Sequence, residues 1–499
     1  MMETLEHLSL GLGIALTLQN VMFCFAGVLI GTLIGVLPGI GPVATVAMLL
    51  PITFYLPPVG ALIMLAGIYY GAQYGGSTTA ILVNLPGESS SVVTCLDGYQ
   101  MARQGRAGSA LAVAALGSFV AGSVATVFIA FLSPLLTDFA QQFGAADYFA
   151  LMVFGLVAAV VLASGSAIKA VAMVLLGLLL GMVGTDVNSG TLRYTFGIYE
   201  LADGLGFVPL AMGLFGIAEV ISNLEQRSSR QVMARIERLW PTREDFRASW
   251  GAVLRGTGIG TILGVLPGGG AVLSSFAAYT LEKKVAKDPS RFGKGAIEGV
   301  AAPESANNAG AQTSFIPLLT LGIPANPVMA LMMGAMTIHG IQPGAQVMTR
   351  QPELFWGMIA SMWIGNLLLV VINLPLVGIW VSLLKVPYRF LFPAILMFCC
   401  IGVYSVNNSW FEVMLMGGFG VMGYLLRKIG CEPAPLLLGF VLGPMMEENF
   451  RRAMLLARGD ATTFLTRPIS ATVLLLSVLL LVTIILPNIR RTREAAFKE

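Results

Sequence analysis

Charge is what this 499-residue chain has least of: Asp, Glu, Lys and Arg make up 11% of it, against about 25% in ordinary soluble domains. Its net charge of +3 is too small to attract nucleic acid. Histidine is nearly missing, with two in the whole chain, His7 and His339. Neither HExxH nor GxSxG occurs, so nothing supplies the nucleophile, base or metal set of a membrane-embedded enzyme. A GxxxxGK[ST] phosphate loop is absent too, which removes nucleotide-driven chemistry. The five cysteines (Cys24, Cys95, Cys399, Cys400 and Cys431) show no CxxC spacing. They read as reduced packing residues, not disulfides or metal ligands. Acids stand in MMETLEHLSL where a signal peptide needs Lys or Arg, so residues 1–19 are expected to be a retained N-terminal helix.

What the chain has in excess is apolar surface and glycine. Apolar residues make up 56%, glycines number 58 and mean hydropathy is +0.82. Glycine is common in membrane helices because small residues let backbones approach closely. Apolar runs recur along the chain, from the one near 8–36 to the last at 469–487. Several, such as 43–56 and 271–281, are too short to cross a hydrocarbon core that takes about 20 residues. These fit broken or re-entrant helices. The expected fold is an all-α polytopic integral membrane protein with about twelve transmembrane or re-entrant helices.

The runs are organised by a duplication. GTLIGVLPGIG at Gly31–Gly41 returns as GTILGVLPGGG at Gly260–Gly270, with eight of eleven positions identical. Gly71-Ala72-Gln73 matches Gly310-Ala311-Gln312, Leu85-Pro86 matches Ile323-Pro324, and Asp97–Gln100 resembles His339–Gln342. Two repeats are therefore expected, 20–222 and 251–447, joined by a basic linker at 223–250 and followed by a C-terminal unit at 448–499. Six arginines in the linker (Arg227, Arg230, Arg235, Arg238, Arg243, Arg247) place it in the cytoplasm by the positive-inside rule. The basic loop Glu282–Gly295 belongs on the same side, whereas its counterpart Tyr55–Gly60 is uncharged. That opposite bias predicts inverted repeats with paired helical hairpins. The last span stays open, since Arg451, Arg452, Arg458 and Arg467 precede it and Arg490, Arg491 and Arg493 follow it. Glycine and proline at Gly35, Pro38, Gly39, Gly41, Pro86, Gly264, Pro267, Gly268, Gly270 and Pro324 mark structural hinges, or tight bends with no ligand.

Two polar segments interrupt the apolar sequence, Gly71–Ser91 and Pro303–Asn326. Small polar residues in membrane helices act as interhelical glue, but two such clusters in duplicated positions read as a cavity lining. Ser77, Thr78, Thr79, Asn84, Asn307, Asn308, Thr313 and Ser314 are the candidate substrate contacts. The hairpin tips are expected near Ser77–Asn84 and Asn307–Ser314. Gln73, Gln312, Glu88 and Glu304 are the candidates for a coupling ion, Na⁺ or H⁺, with Na⁺ the only metal considered. The two acids could equally face water at a hairpin mouth. Neither cluster holds an Arg or Lys, so an anion there would rely on amide dipoles and a bound cation. Lys169 reads as a snorkelling residue and His339 as a packing one.

GVLPGIGPVATVAMLLP, AGIYYGAQYGGSTTAILVNLPGE, GVAAPESANNAGAQTSFIPLLTLGIP and LGPMMEENFRRAM closely resemble the large membrane (permease) subunit of tripartite tricarboxylate transporters, the TctA type. The resemblance runs from about residue 10 to 470. It implies a carboxylate permease of the bacterial inner membrane, working without cofactor and driven by an ion gradient. It also implies two partners, a small membrane subunit and a periplasmic solute-binding protein; a homodimer is compatible with it. Competing readings are a passive channel for small anions, built from the same re-entrant loops, and a carrier of an unrelated solute.

Overall fold

Thr17 divides the first apolar run in two. Its hydroxyl accepts the Asn20 amide and so caps a new helix, leaving α1 (Met2–Ala15) and α2 (Leu18–Gly35) in place of one long span. The computed structural model describes residues 2–37, 40–163, 166–186, 189–225, 239–266, 270–383 and 388–485. The first half continues through α3 (Pro42–Thr53), α4 (Pro58–Val83), α5 (Val92–Arg103), α6 (Ala107–Ala140), α7 (Ala145–Leu162) and α8 (Ala167–Gly181). A two-stranded antiparallel pair, Gly184–Thr185 with Leu192–Arg193, is the only sheet among the described residues. Helices α9 (Phe207–Ala211) and α10 (Ala218–Glu225) are joined by a π-helical turn over Met212–Ile217.

The second half holds α11 (Arg243–Gly264), α12 (Gly270–Val285), α13 (Glu298–Thr313), α14 (Phe315–Leu321), α15 (Pro327–Ile338), α16 (Ala345–Arg350) and α17 (Pro352–Asn373). It ends with α18 (Val377–Leu383), α19 (Tyr388–Asn407), α20 (Trp410–Lys428), α21 (Ala434–Leu456), α22 (Thr463–Thr466) and α23 (Pro468–Ile485). The protein is all-α. Four helical stretches among the described residues are long and apolar enough to cross a membrane alone: Leu18–Gly35, Ala107–Ala140, Phe207–Glu225 and Pro352–Asn373. Six shorter apolar helices accompany them.

The duplicated GxxxG runs build the same helix pair twice. Gly27, Gly31 and Gly35 of α2 lie over the backbone of Met64, Ile68 and Ala72 of α4. Gly256, Gly260 and Gly264 of α11 lie in the same way over Ala302, Ala306 and Gly310 of α13. In each pair both numbers rise together, so the paired helices run parallel, with α3 or α12 as the returning segment. Any side chain at these glycines would enter the facing backbone, which is why both stripes are glycine.

Ion pairs gather at the two ends of the helices. At the linker end, Arg106 pairs with Asp245, Arg427 with Glu219, and Lys428 with Glu225 at 2.7 Å. Asp97 is fully buried there and ties the halves together. Its Oδ1 accepts the amides of Gly293, Gly295 and Ala296 at 2.8–2.9 Å, and its Oδ2 accepts the Tyr279 hydroxyl at 3.0 Å. Lys169 donates to the Ile429 carbonyl at the same end. The 34 residues of α6, about 51 Å at 1.5 Å per residue, lead to the opposite end. There Arg467 pairs with buried Asp147 at 2.8 Å, and Arg193 and Arg451 clasp Asp186 and Glu447.

The Asp147 contacts to Arg467 and the Ser470 amide put the starts of α7 and α23 side by side. The final helix therefore begins at the end opposite the linker and runs back toward it, which settles the direction that its arginine flanks leave open. Arg227, Arg230, Arg235 and Arg238, and the tail with Arg490, Arg491 and Arg493, lie outside the described residues, while Arg243 and Arg247 open α11.

Candidate functional site: a buried polar junction between the duplicated helix pairs

Helix α4 runs unbroken through Ser77, Thr78 and Thr79, and α13 through Asn307, Asn308 and Thr313. The hairpin tips thus lie further along than the sequence reading puts them, at Asn84–Glu88 and Gly322–Asn326. Hydroxyls explain the persistence of these helices. Ser77 and Thr78 donate to the carbonyls of Gln73 and Tyr74, Thr79 to Gly76, Thr313 to Ala309 and Ser314 to Ala311. Bonding back to its own helix satisfies each hydroxyl without unwinding the turn.

The true breaks are left-handed residues followed by proline. Asn84 caps α4 at φ 56° and Gly322 caps α14 at φ 71°, and Leu85-Pro86 and Ile323-Pro324 come next. Each loop then starts a new helix with a polar cap: Glu88 with Ser91 in the first, and Asn326, which accepts the Met329 amide at 3.0 Å, in the second. Gly41 approaches Gly87, and Gly270, at φ 43°, approaches Asn326. Pro38, Gly39, Pro267 and Gly268 lie outside the described residues.

Between these loops the polar side chains form three chains of hydrogen bonds. In the first, Gln73 Nε2 donates to Asn307 Oδ1 at 3.2 Å and Asn307 Nδ2 donates to Glu88 Oε1 at 3.0 Å. The second centres on Glu304, which is 1% exposed. Ser77 donates to its Oε2 at 2.6 Å and Thr94 to its Oε1. Asn308 reaches Ser118 at 2.6 Å and the Glu304 carbonyl at 3.0 Å. In the third, Thr126 donates to Gln312 Oε1 at 2.7 Å and Gln312 Nε2 donates to Asn366 Oδ1 at 2.8 Å. Among the described residues no Arg, Lys or His pairs with Glu88 or Glu304, in contrast to the acids at both ends of the helices.

Some buried polar atoms here have no protein partner: Gln73 Oε1, Asn326 Nδ2, Ser305 Oγ and Asn366 Nδ2. Orphaned buried groups are rare and call for a ligand or water. The Tyr69 phenol lies beside Gln73, Ser314 and Asn326. Beside Glu304 is a cavity of about 20 Å³, lined by Tyr74, Ser77, Thr78 and Ser118. It has room for a water or a bare ion, not for an organic acid.

The structure brings together Gln73, Ser77, Glu88, Glu304, Asn307, Asn308 and Ser314. Gln312 lies in the separate chain with Thr126, Thr313 faces α11 through the Gly260 carbonyl, and Asn84 is exposed at the end of α4. The sequence reading misses Tyr69, Thr94, Ser118, Thr126, Asn326 and Asn366. Most are single polar residues inside apolar helices, where nothing local separates them from helix-packing glue. Asn326 was legible, since it follows Ile323-Pro324 as Glu88 follows Leu85-Pro86.

Residues 21–438 match the model of the tripartite tricarboxylate transporter TctA family. An uncharacterized 52.8 kDa protein in the TAR-I ttuC' 3' region of Agrobacterium vitis is 61% identical over 500 residues, covering all of both chains. An uncharacterized protein in the TAR-II ttuC' 3' region of the same organism is 62% identical over 240 residues, which is 48% of this chain and 99% of that one. No solved structure matches the chain significantly. With four stretches able to span a membrane and a family match over most of its length, the chain belongs to the TctA family of tripartite tricarboxylate transporters.

Proposed function

We propose that this chain is the permease of a binding-protein-dependent secondary transporter that takes up tricarboxylates or related carboxylates, citrate among them, with Na⁺ or H⁺. Membership in the family makes it a multi-pass transport protein with a small membrane subunit and a periplasmic binding protein as partners. The observation that carries the mechanism is the pair of carboxyl groups, buried Glu304 and half-buried Glu88, held by hydroxyls and amides with no cationic side chain on them among the described residues.

A buried carboxylate left without a countercharge is costly. Glu304 is therefore suited to take a proton or Na⁺ from one side and release it on the other. Its carboxyl accepts from the Ser77 and Thr94 hydroxyls and its main-chain carbonyl from Ser118, and an all-oxygen set suits a hard cation. The substrate's carboxylates would bind between the two loops, at Asn307, Asn326, Gln73 and Ser314. The loop caps supply amide dipoles there in place of Arg or Lys.

Alternating access follows from the duplication. The first repeat enters at the end opposite the linker and the second at the linker end, which supports an inverted pair with about twelve crossing or re-entrant helices. The linker side is then cytoplasmic and the membrane is the inner one. One hairpin-bearing unit moves against the other to expose the junction to either side.

The test is uptake of labelled citrate, then of a panel of di- and tricarboxylates, into cells expressing the chain with both partners. Accumulation that collapses without a Na⁺ gradient or with a protonophore supports symport. The channel reading predicts no counterflow, whereas a carrier exchanges labelled for unlabelled acid.

A further inference from the structure

A second cavity lies away from the junction, at the end of the helices opposite the linker. It measures about 470 Å³, within the range of small-molecule sites, and is bounded by the end of α6, the start of α7, helix α16 and the last turns of α21. Six side chains with polar atoms line it: Gln141, Tyr148, Gln346, Thr349, Asn449 and Arg452. No Asp or Glu is among its lining residues.

Charge singles out Arg452. Its neighbours Arg451 and Arg467 are neutralised by Asp186 and Glu447, and by Asp147. Arg467 also lies against Gly144 on the cavity wall, so its charge is already matched there. Arg452 has no ion pair among the described residues and opens onto the cavity. The first residues of α7, Gly144 and Ala145, form part of the same wall, with the Gly144 amide already donated to Asp147 Oδ2 at 2.9 Å. Tyr148, Thr349 and Asn449 donate to the carbonyls of Ala140, Gln346 and Met445, which leaves the Arg452 guanidinium and the Gln141 and Gln346 carboxamides as the donors for an organic anion.

We infer that this cavity is an outer binding site for the carboxylate, where the anion is held by Arg452 before it passes to the junction. The inference rests on the transport reading for its ligand, and on the cavity's own residues for its place. It divides the labour within one chain. Arg452 attracts the anion where water is near and a full charge costs little. The junction, free of Arg and Lys, does not trap it.

The test is carried out on the full-length chain in detergent, with the five native cysteines replaced by alanine and Thr349→Cys on the cavity wall. Modification by an anionic and by a cationic methanethiosulfonate is timed. The ratio of anionic to cationic rate should fall about 25-fold on adding Arg452→Gln, because removing one unit charge about 4 Å away in a wet site changes each rate about fivefold in opposite directions. Citrate should slow modification when Arg452 is present and lose that protection with Arg452→Gln. If the cysteine-free chain does not fold, uptake by the otherwise native chain replaces the assay. Arg452→Gln should then raise KM about tenfold with maximal rate retained, and Arg452→Lys should recover part of it. An unchanged rate ratio, or no protection by a carboxylate the cells do accumulate, overturns the outer site and leaves the transport reading standing. Failure of every carboxylate both to protect and to accumulate overturns both.

Discussion

Asn307 Nδ2 donates to Glu88 Oε1 at 3.0 Å, and the same two positions of the other repeat also meet. Asn326 stands 238 positions after Glu88, Tyr69 stands 238 before Asn307, and the Tyr69 phenol lies beside Asn326. Each repeat thus rests its broken loop on the long helix of the other. Reciprocal contacts of this kind fit the inverted pair proposed above. A motion of one hairpin-bearing unit against the other must therefore break or remake both contacts.

Asn307 is the member of this arrangement with the most to lose. Its amide bridges Gln73 and Glu88, so Asn307→Ala leaves a buried amide and a carboxyl unsatisfied at once. The cost is about 1–3 kcal/mol in stability, and carboxylate uptake should fall at least tenfold at comparable membrane abundance. Uptake per molecule at the wild-type level would remove Asn307 from the substrate path.

Glu304→Gln separates coupling from binding. The amide keeps the volume and can still accept from Ser77 or Thr94, so folding and thermal stability should be nearly unchanged. Driven accumulation should drop more than tenfold, while exchange of labelled for unlabelled acid across vesicles survives. A variant that accumulates substrate as well as the wild type would show that the coupling ion sits elsewhere.

The glycine stripes were legible because close backbone approach leaves a mark in sequence: only glycine fits, so the GxxxG spacing at Gly27–Gly35 and Gly256–Gly264 survives in both halves. Register was not. The GAQ runs align Gln73 with Gln312, yet the helix pairs place Ala72 and Gly310 opposite Gly35 and Gly264. The structural offset is 238 positions, one short of the sequence match. In that register Gln73 corresponds to Ala311, and the two glutamines do different work. Hairpin tips were misplaced for a related reason. Ser and Thr suggest loops in soluble proteins, but in these buried helices they bond to their own backbone, and the chain turns only where a left-handed cap precedes proline.

Asn84 tests that last distinction. Its φ of 56° lies in a region that glycine adopts freely and that alanine resists by about 1–2 kcal/mol. As a helix-ending device, Asn84→Gly should retain uptake and stability, while Asn84→Ala lowers the melting temperature by a few degrees. As a substrate ligand, both variants should lose uptake together. Measuring uptake and melting on the two proteins side by side decides which role this exposed asparagine has.

Helix α11 carries its own control for the close packing of the duplicated pairs. A Cβ at Gly258 would meet nothing within 4 Å, whereas one at Gly260 would strike the Ala306 backbone. Gly258→Ala should therefore stabilise the protein by about 0.5–1 kcal/mol through the lost flexibility of glycine. Gly260→Ala must push α11 off α13, the helix that carries Glu304, Asn307 and Asn308. We expect it to cost about 2–4 kcal/mol and to reduce transport beyond what its lower abundance explains. Opposite shifts in melting temperature for two alanines two residues apart would show that contact, not helix propensity, sets the spacing of this pair. Equal shifts would mean that α11 is free to move away from α13, and that the glycine stripe does not hold the junction's shape.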